Sequence, residues 1–170
     1  MIVATHGGLP GDPIAEARRL WAQHGWAGAA DGMAAITSLM RAQQIALARV
    51  EAVLKPHGVT FARYEVLMLL YFSRKASLPM TIIHGRLQVH PTSVTNAVDR
   101  LETAGLVRRT PHPEDRRSTI VELLPAGRDL AEAATADLNA EVFGAPWLSP
   151  PAVDSLIDVI TEMRHNAGDF

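Results

Sequence analysis

The stretch 90–117 constrains the fold more than any other part of the chain. Its first half carries a helical apolar pattern, and Pro91 suits the first position of a helix because its missing N–H costs nothing there. Gly105 suits the left-handed residue that ends a helix. Segments 106–110 and 119–124 have the pattern of short strands, and a basic, proline-containing loop separates them. The order helix, cap, strand, basic loop, strand predicts a winged helix.

The helix that begins at Pro91 is predicted to have two chemically different faces, because successive residues are rotated by about 100°. The predicted buried face consists of Val94, Ala97, Val98 and Leu101. The predicted exposed face carries Thr92, Ser93, Asn96 and Arg100. Hydroxyl, amide and guanidinium groups bind base edges and phosphates, so this face is a candidate DNA-binding surface. The alternative is an ordinary solvated helix face. His90, at the helix entry, is a candidate phosphate contact or a simple cap.

These motifs resemble the multiple-antibiotic-resistance regulator (MarR) family. The resemblance rests on the helix motif at 94–102, on Gly105-Leu106-Val107, and on the Asp-Arg-Arg-Ser motif at 115–118. It covers roughly residues 78–127, with both motifs at the family spacing. It implies a mainly α fold with a small β-wing: a winged helix-turn-helix DNA-binding lobe plus N- and C-terminal dimerisation helices.

The resemblance also implies roles for individual residues. It places Thr92, Ser93 and Asn96 nearest the bases, with phosphate contact as the alternative for Arg100. It assigns Arg116 and Arg117 to the DNA-binding wing, with Arg117 in the minor groove, where negative potential attracts a guanidinium. Asp115 is expected to orient the wing, because phosphate repels a carboxylate. A mobile charged hairpin tip is the alternative for this loop.

Two further arginines, Arg108 and Arg109, follow each other on the first predicted strand. Neighbouring residues of a strand point to opposite faces of the sheet. At most one of the two is therefore expected to approach DNA.

Outside the motifs, helical patterns divide the chain. Residues 1–30 are predicted to be an N-terminal extension with a short helix, and residues 31–170 the MarR-type domain. Within them, the DNA-binding lobe covers about 60–124, and dimerisation helices cover about 12–55 and 126–166. The extra N-terminal helix is interpreted as a strap on the dimer, with a ligand role as the alternative.

Individual boundaries follow from caps and helix breakers. Asp12 and Pro13 open the first helix and Gly25 ends it, and a long helix starts near Asp31. Further helices are expected at 61–72, 79–87 and 126–143, with a last one opening at Ser149 or Pro150. Segment 66–72 is apolar almost all round, which is typical of a buried helix.

Charge is unevenly distributed, although the formal net charge is only −2. Residues 75–128 carry eight basic and five acidic side chains, whereas residues 129–170 carry one basic and eight acidic side chains. The local patch governs phosphate binding, so a moderate, salt-sensitive affinity for DNA is expected.

Several function classes lack support in the sequence. Without cysteine, the chain forms no disulfide, thiolate metal site or thiol-based peroxide sensor. No catalytic motif is present, so an enzyme is not expected, and no cofactor or metal is implied; a metal sensor built from residues distant in sequence stays open. No secretory signal or apolar run of membrane-spanning length is seen, which predicts a cytoplasmic protein, nucleoid-associated when bound to DNA and without a membrane partner.

The sequence therefore predicts a DNA-binding transcriptional regulator that binds an inverted repeat as a homodimer. By the resemblance, it is a repressor that responds to a small aromatic or lipophilic effector. Candidate effector residues are Trp26, Tyr64 and Met68, with core packing as the main alternative for the last two. One rival is a winged-helix module for protein association without DNA binding. Another is an enzyme that uses a winged helix for dimerisation, although the chain has no room for an added catalytic domain.

Overall fold

The computed structural model describes residues 11–87, 91–113 and 118–170. The chain forms two compact units that meet in sequence between Ala48 and Arg49. Among the described residues, no helix combines the length and apolar character that crossing a membrane requires. The division into an extension, a lobe and dimerisation helices at the predicted boundaries stays a prediction.

The first unit begins with helix α1, Pro13–Trp21, which opens as its sequence predicts. The carboxylate of Asp12 accepts a hydrogen bond from the backbone N–H of Ile14 at 2.9 Å, and Pro13 occupies the first helical position. A π-type turn, Ala22–Trp26, follows. Within it Gly25 has a φ of +89°, a left-handed conformation that ends the first helix.

Helix α2, Ala27–Leu54, starts four residues before the predicted start at Asp31. Asp31 therefore lies inside α2 and does not begin it. Its carboxylate instead accepts a hydrogen bond from the side chain of Arg18 at 2.7 Å.

The second unit holds the remaining elements. In chain order they are a 3₁₀ turn (Lys55–His57), α3 (Phe61–Tyr71), β1 (Ser77–Pro79), α4 (Met80–Leu87), α5 (Pro91–Thr103), β2 (Val107–Pro111), β3 (Thr119–Leu123), α6 (Pro125–Leu138), a π-type turn (Asn139–Phe143) and α7 (Pro150–Asn166). The mainly helical architecture with a small antiparallel sheet is the winged helix-turn-helix fold that the sequence predicts.

The sheet has three strands in the order β1-β3-β2, one more than expected. Pro79 was assigned to the helix 79–87, but it pairs with Ile120 at the end of β1, and α4 begins at Met80. A strand at the edge of a sheet can end in proline because one side of its backbone needs no partner. The same reason accommodates Pro111 at the end of the other edge strand, opposite Thr119.

The core of the second unit is aliphatic. Its largest side chains with less than 2% exposure are Leu54, Leu67, Leu70, Ile83, Leu101, Leu138, Val66, Val94, Val98, Val107 and Val121. They come from helices and from the sheet, so one core ties the wing strands to the helices. The expected buried helix at 66–72 is confirmed for Val66, Leu67 and Leu70, but not for the last residue of the segment. Phe72 is 76% exposed, because it lies at the C-cap of α3, beyond the part of the helix that faces the core.

Apolar side chains also line the outside of two helices. On α2 the exposed ones are Ile36, Met40, Ile45 and Leu47. On α7 they are Leu156, Ile157, Val159 and Met163. Both helices thus carry apolar stripes that one chain leaves uncovered.

Candidate nucleic-acid interface

Helix α5 is oriented by its apolar face. Val94, Val98 and Leu101 are at most 1% exposed and Ala97 is 6% exposed, so this face is anchored in the core. The opposite face presents the predicted residues Thr92, Ser93, Asn96 and Arg100, all of which are exposed. The division of the helix into a buried and an exposed face is therefore confirmed. Which of these groups meets DNA stays a prediction.

The end of α5 is a Schellman motif around Gly105, as the sequence predicts. Gly105 has a φ of +69° and donates a backbone hydrogen bond to Glu102 at 2.9 Å. The next residue, Leu106, donates to the carbonyl of Leu101 at 3.0 Å. This cap turns the chain directly into β2, so the recognition-type helix and the wing strand are joined without a flexible linker.

A groove of about 510 Å³ runs beside the exposed face of α5. Ser93, Asn96 and Arg100 line one side of it, and Thr60, Ala62 and Arg63, at the start of α3, line the other. The structure thus brings three of the predicted residues together. It adds Arg63, which the sequence reasoning did not identify because nothing in the α5 motif indicates that α3 begins next to it.

The other predicted contact residues are His90 at the helix entry and Asp115, Arg116 and Arg117 in the wing loop, all of which lie outside the described residues. The base of the wing is described. Pro111 pairs with Thr119 across β2 and β3, so the loop between them starts and ends at paired strands. The roles of the four residues stay predictions.

The side chains of Arg108 and Arg109 point in different directions, as those of neighbouring residues on a strand should. Arg108 forms an ion pair with Glu122 on β3 at 2.8 Å and is largely exposed. Arg109 turns to α5, where its Nη1 lies 2.6 Å from Asp99 and 2.8 Å from Glu102. Its backbone N–H also donates to Glu102 at 2.9 Å. The carboxylates of α5 therefore hold the strand that leads into the wing.

The ion pairs with Asp99 and Glu102 keep the Arg109 side chain charged. Partial burial alone would lower the pKa of Arg109, but hydrogen bonds to Asp99 and Glu102, with the negative charges of both, outweigh burial and raise the pKa above its ordinary value. The guanidinium is thus cationic at any physiological pH. It offsets two carboxylates beside a surface that is proposed to meet a polyanion.

Replacing Arg109 with alanine is expected to lower the free energy of unfolding by about 1 kcal/mol. A charge-assisted hydrogen bond contributes about 1.5–3 kcal/mol, and the 52% exposure of Asp99 reduces that value here. Urea denaturation measures the change. Arg108→Ala is the matched control, since its half-exposed pair should contribute less than about 0.5 kcal/mol. Equal losses in the two variants would show that Arg109 does not hold the wing.

The three candidate effector residues have different surroundings. Tyr64 is 6% exposed, and its hydroxyl lies 2.9 Å from the hydroxyl of Thr135 on α6. The Thr135 hydroxyl, which donates to the carbonyl of Ala131 at 2.7 Å, also lies 3.3 Å from the sulfur of Met68. Tyr64 and Met68 are thus joined through one side chain of α6. Trp26 belongs to the first unit, where it is 56% exposed and lies 5.0 Å from the ring of Trp21.

A second groove, of about 330 Å³, separates α3 from α6. Its walls are Met68, Tyr71 and Phe72 on one side and Ala131, Glu132, Thr135, Ala136 and Asn139 on the other. The Tyr71 hydroxyl donates to Glu132 at 3.0 Å, and the guanidinium of Arg128 lies 4.8 Å from the tyrosine ring centre. Nothing in the sequence pairs Tyr71 with α6, because the two segments are far apart along the chain. Among the described residues no cluster of His, Asp and Glu has a metal-binding arrangement.

Comparison with known proteins identifies regulators of transcription that resemble this chain. Sco5413, a MarR family transcriptional regulator from Streptomyces coelicolor, is 50% identical, with a TM-score of 0.75 over 82% of this chain and 97% of that one. The uncharacterized HTH-type transcriptional regulator YdgJ of Bacillus subtilis is 31% identical over 116 residues, which are 66% of this chain and 68% of YdgJ. These relatives are described as regulators of transcription, not as enzymes.

A third similar structure contains nucleic acid. The transcriptional repressor CouR, from Rhodococcus jostii RHA1, was solved bound to a 23-mer DNA duplex. It is 26% identical, with a TM-score of 0.68 over 74% of this chain and 89% of CouR. CouR has also been solved bound to p-coumaroyl-CoA.

The family model described as MarR family matches residues 59–119, a range that begins just before α3 and ends at the first residue of β3. It includes both faces of α5, the Gly105 cap and the groove beside Arg63. The match agrees with the helix and wing motifs. Together with the 50% identity over 97% of Sco5413, it shows that the chain belongs to the MarR family of transcriptional regulators.

Proposed function

We propose that this protein binds specific DNA sequences through the exposed face of α5 and represses transcription from the promoters that it covers. The main support for this proposal is the exposed face of α5. Thr92, Ser93, Asn96 and Arg100 are exposed along a helix whose other face is fixed in the core. A rigid helix with exposed hydrogen-bonding groups is what reading the major groove requires. The DNA complex of the relative CouR supports the same use of the fold.

The wing supplies the second contact in this proposal. Arg117 enters the minor groove, Arg116 contacts the backbone, Asp115 orients the loop, and His90 meets a phosphate at the entry of α5. Support comes from the family resemblance and from the paired strands that anchor the loop at Pro111 and Thr119. A rigid base fixes where a short loop can reach.

The rival function, protein association without DNA binding, fits the α5 face less well. A protein-docking surface is rich in aromatic and apolar side chains at its centre. The described part of this face instead presents hydroxyls, an amide and a guanidinium, and the groove beside it adds Arg63. Cationic and polar groups match a phosphate backbone and base edges better than an apolar partner.

We also infer that two copies form the binding unit. The apolar stripes of α2 and α7 would gain stability if they were covered, and a second copy presents the same stripes. A two-fold dimer would present two α5 helices to an inverted repeat, with half-sites about one helical turn apart.

Replacing Ile157 on α7 with glutamate is expected to weaken that dimer about 100-fold or more, because each copy would bury a charge in place of an apolar side chain. Ile157 is 57% exposed in the single chain, so its own fold should tolerate the change. Sedimentation velocity over a concentration series measures the effect. Ser155→Glu, which adds the same charge at an exposed polar position about 160° around α7 from Ile157, is the control. Dissociation constants that match in both variants would exclude this face of α7 from the dimer.

The effector in this proposal is a small aromatic or lipophilic compound. The groove between α3 and α6 offers Met68 and Tyr71 as an apolar wall, and Tyr64 lies one helical turn away from Met68. Trp26 is kept as a candidate from the first unit. The relative CouR binds p-coumaroyl-CoA, which has an aromatic acyl group. By linkage, an effector that favours the wrong spacing of the two α5 helices must weaken DNA binding.

The deciding experiment is footprinting on the DNA upstream of the protein's own gene, at moderate salt with competitor DNA. A protected inverted repeat is the expected result and would provide the operator for effector screening. If micromolar folded dimer protects nothing there, a genome-wide binding selection follows. Failure to enrich any sequence in that selection would reject specific DNA binding and favour a protein partner.

A further inference from the structure

We propose that the groove between the start of α3 and α5 binds a phosphate of the DNA backbone, which Arg63 and Arg100 hold together. The inference rests on the proposed DNA binding and extends it to Arg63, a residue outside both the recognition-type helix and the wing. Arg63 would therefore set affinity without reading sequence.

The geometry places the two guanidinium groups on opposite walls of the groove. Arg63 lines it from the first turn of α3, and Arg100 lines it from α5, one helical turn after Asn96. Within the described part of the chain, the Arg63 side chain forms one hydrogen bond, from Nη1 to the carbonyl of Gly58, and it is long at 3.4 Å. A bond of that length holds a side chain weakly, so the guanidinium can turn towards a ligand.

The charges around the groove also favour an anion. Among the described residues, neither Arg63 nor Arg100 belongs to an ion pair, in contrast to Arg108 and Arg109. The acidic side chain that lines the groove is Asp99, and Arg109 lies 2.6 Å from its carboxylate. Two uncommitted positive charges therefore face the groove, while its negative charge is already compensated.

Phosphate fits this arrangement better than a base edge does. A guanidinium offers parallel N–H donors that match two phosphate oxygens. The first turn of α3 adds the partial positive charge of a helix N-terminus, although Glu51 already accepts a hydrogen bond from the N–H of Phe61 at 2.8 Å. Because α5 itself would occupy the major groove, a residue on the neighbouring helix would meet the backbone that flanks it.

The test compares Arg63→Ala with Arg74→Ala. Arg74 follows the other end of α3, is exposed, and belongs to no ion pair of the described residues, so it matches the charge change away from the groove. Binding to the operator and to unrelated DNA is measured from about 50 to 200 mM salt. Each phosphate contact adds about −0.9 to the slope of log K against log salt. A dimer that lacks Arg63 loses two such contacts, so its slope should be less negative by about 1.8. Over that range the wild-type protein should lose about twelvefold more affinity than the variant.

The expected outcome is a shallower slope for Arg63→Ala, an unchanged slope for Arg74→Ala, and restoration by Arg63→Lys, which keeps the charge. The ratio of operator to unrelated-DNA affinity should stay within about threefold, because a phosphate contact carries no sequence information. Circular dichroism on each variant confirms that it is folded. Equal slopes for the two alanine variants, or a large change in the ratio, would overturn the phosphate assignment while DNA binding stands. If the wild-type protein binds neither DNA, the proposed function itself fails and this inference fails with it.

Discussion

Alanine at position 127 is expected to lower the free energy of unfolding by about 3 kcal/mol, near the upper end for an overpacked site. Gly127 lies in the first turn of α6. A Cβ atom added there would overlap the backbone carbonyl oxygen of Leu106 and lie 2.9 Å from a methyl carbon of Leu123. The carbonyl cannot turn away, because it accepts a hydrogen bond from the N–H of Leu124 at 3.0 Å. Either α6 or the start of β2 must move.

Gly85 provides the matched control for this substitution. It lies inside α4, and a Cβ added there meets no heavy atom within 4 Å. Gly85→Ala is therefore expected to raise the free energy of unfolding by about 0.5–1 kcal/mol, the usual gain when alanine replaces glycine in a helix. Urea denaturation of both variants measures the two values. Losses of similar size would mean that the backbone contact at Gly127 does not limit the packing of α6.

The close packing at Gly127 links α6 to the proposed DNA-binding face. Leu106 follows the Gly105 cap of α5, and Leu123 ends the last strand of the wing. Through Gly127, α6 packs directly on both. A shift of α6 would therefore move the recognition-type helix and the wing strands together, and this is one route by which an effector beside α6 could alter DNA binding.

The local features of α5 could be predicted from sequence because short-range rules decide them. Apolar spacing determined its buried face, and the glycine after the helix determined its left-handed cap. Neither conclusion required knowledge of another element. The resemblance to a family then extended these local predictions to a whole lobe.

Features that depend on two distant segments were missed. Strand β1 exists because Ser77–Pro79 finds a partner in β3, and three residues that end in proline carry little strand signal of their own. The ion pairs of Arg109 join residues on a strand and a helix, and the sequence indicates only that the two arginines diverge. The groove beside Arg63 likewise depends on how α3 packs against α5, which the pattern of either helix alone does not indicate.

Replacing Asn96 with alanine is expected to lower the discrimination between the operator and unrelated DNA by about 1–3 kcal/mol, the usual contribution of a side chain that reads a base edge. The fold should be unaffected, because Asn96 is exposed and alanine is the better helix former. Competition binding with operator and unrelated duplexes measures the ratio. Asn166→Ala, which removes the same amide from the last turn of α7, is the control.

The salt dependence separates this prediction from the one for Arg63. An amide carries no charge and releases no counterion, so Asn96→Ala should change the affinity ratio and leave the salt slope as it is. Arg63→Ala should do the reverse. Asn96 and Arg63, which line the same groove, would then have separate roles. The amide would read the base sequence and the guanidinium would bind the phosphate backbone. An unchanged ratio in Asn96→Ala would remove this residue from base reading and leave Thr92 and Ser93 as the candidates on α5.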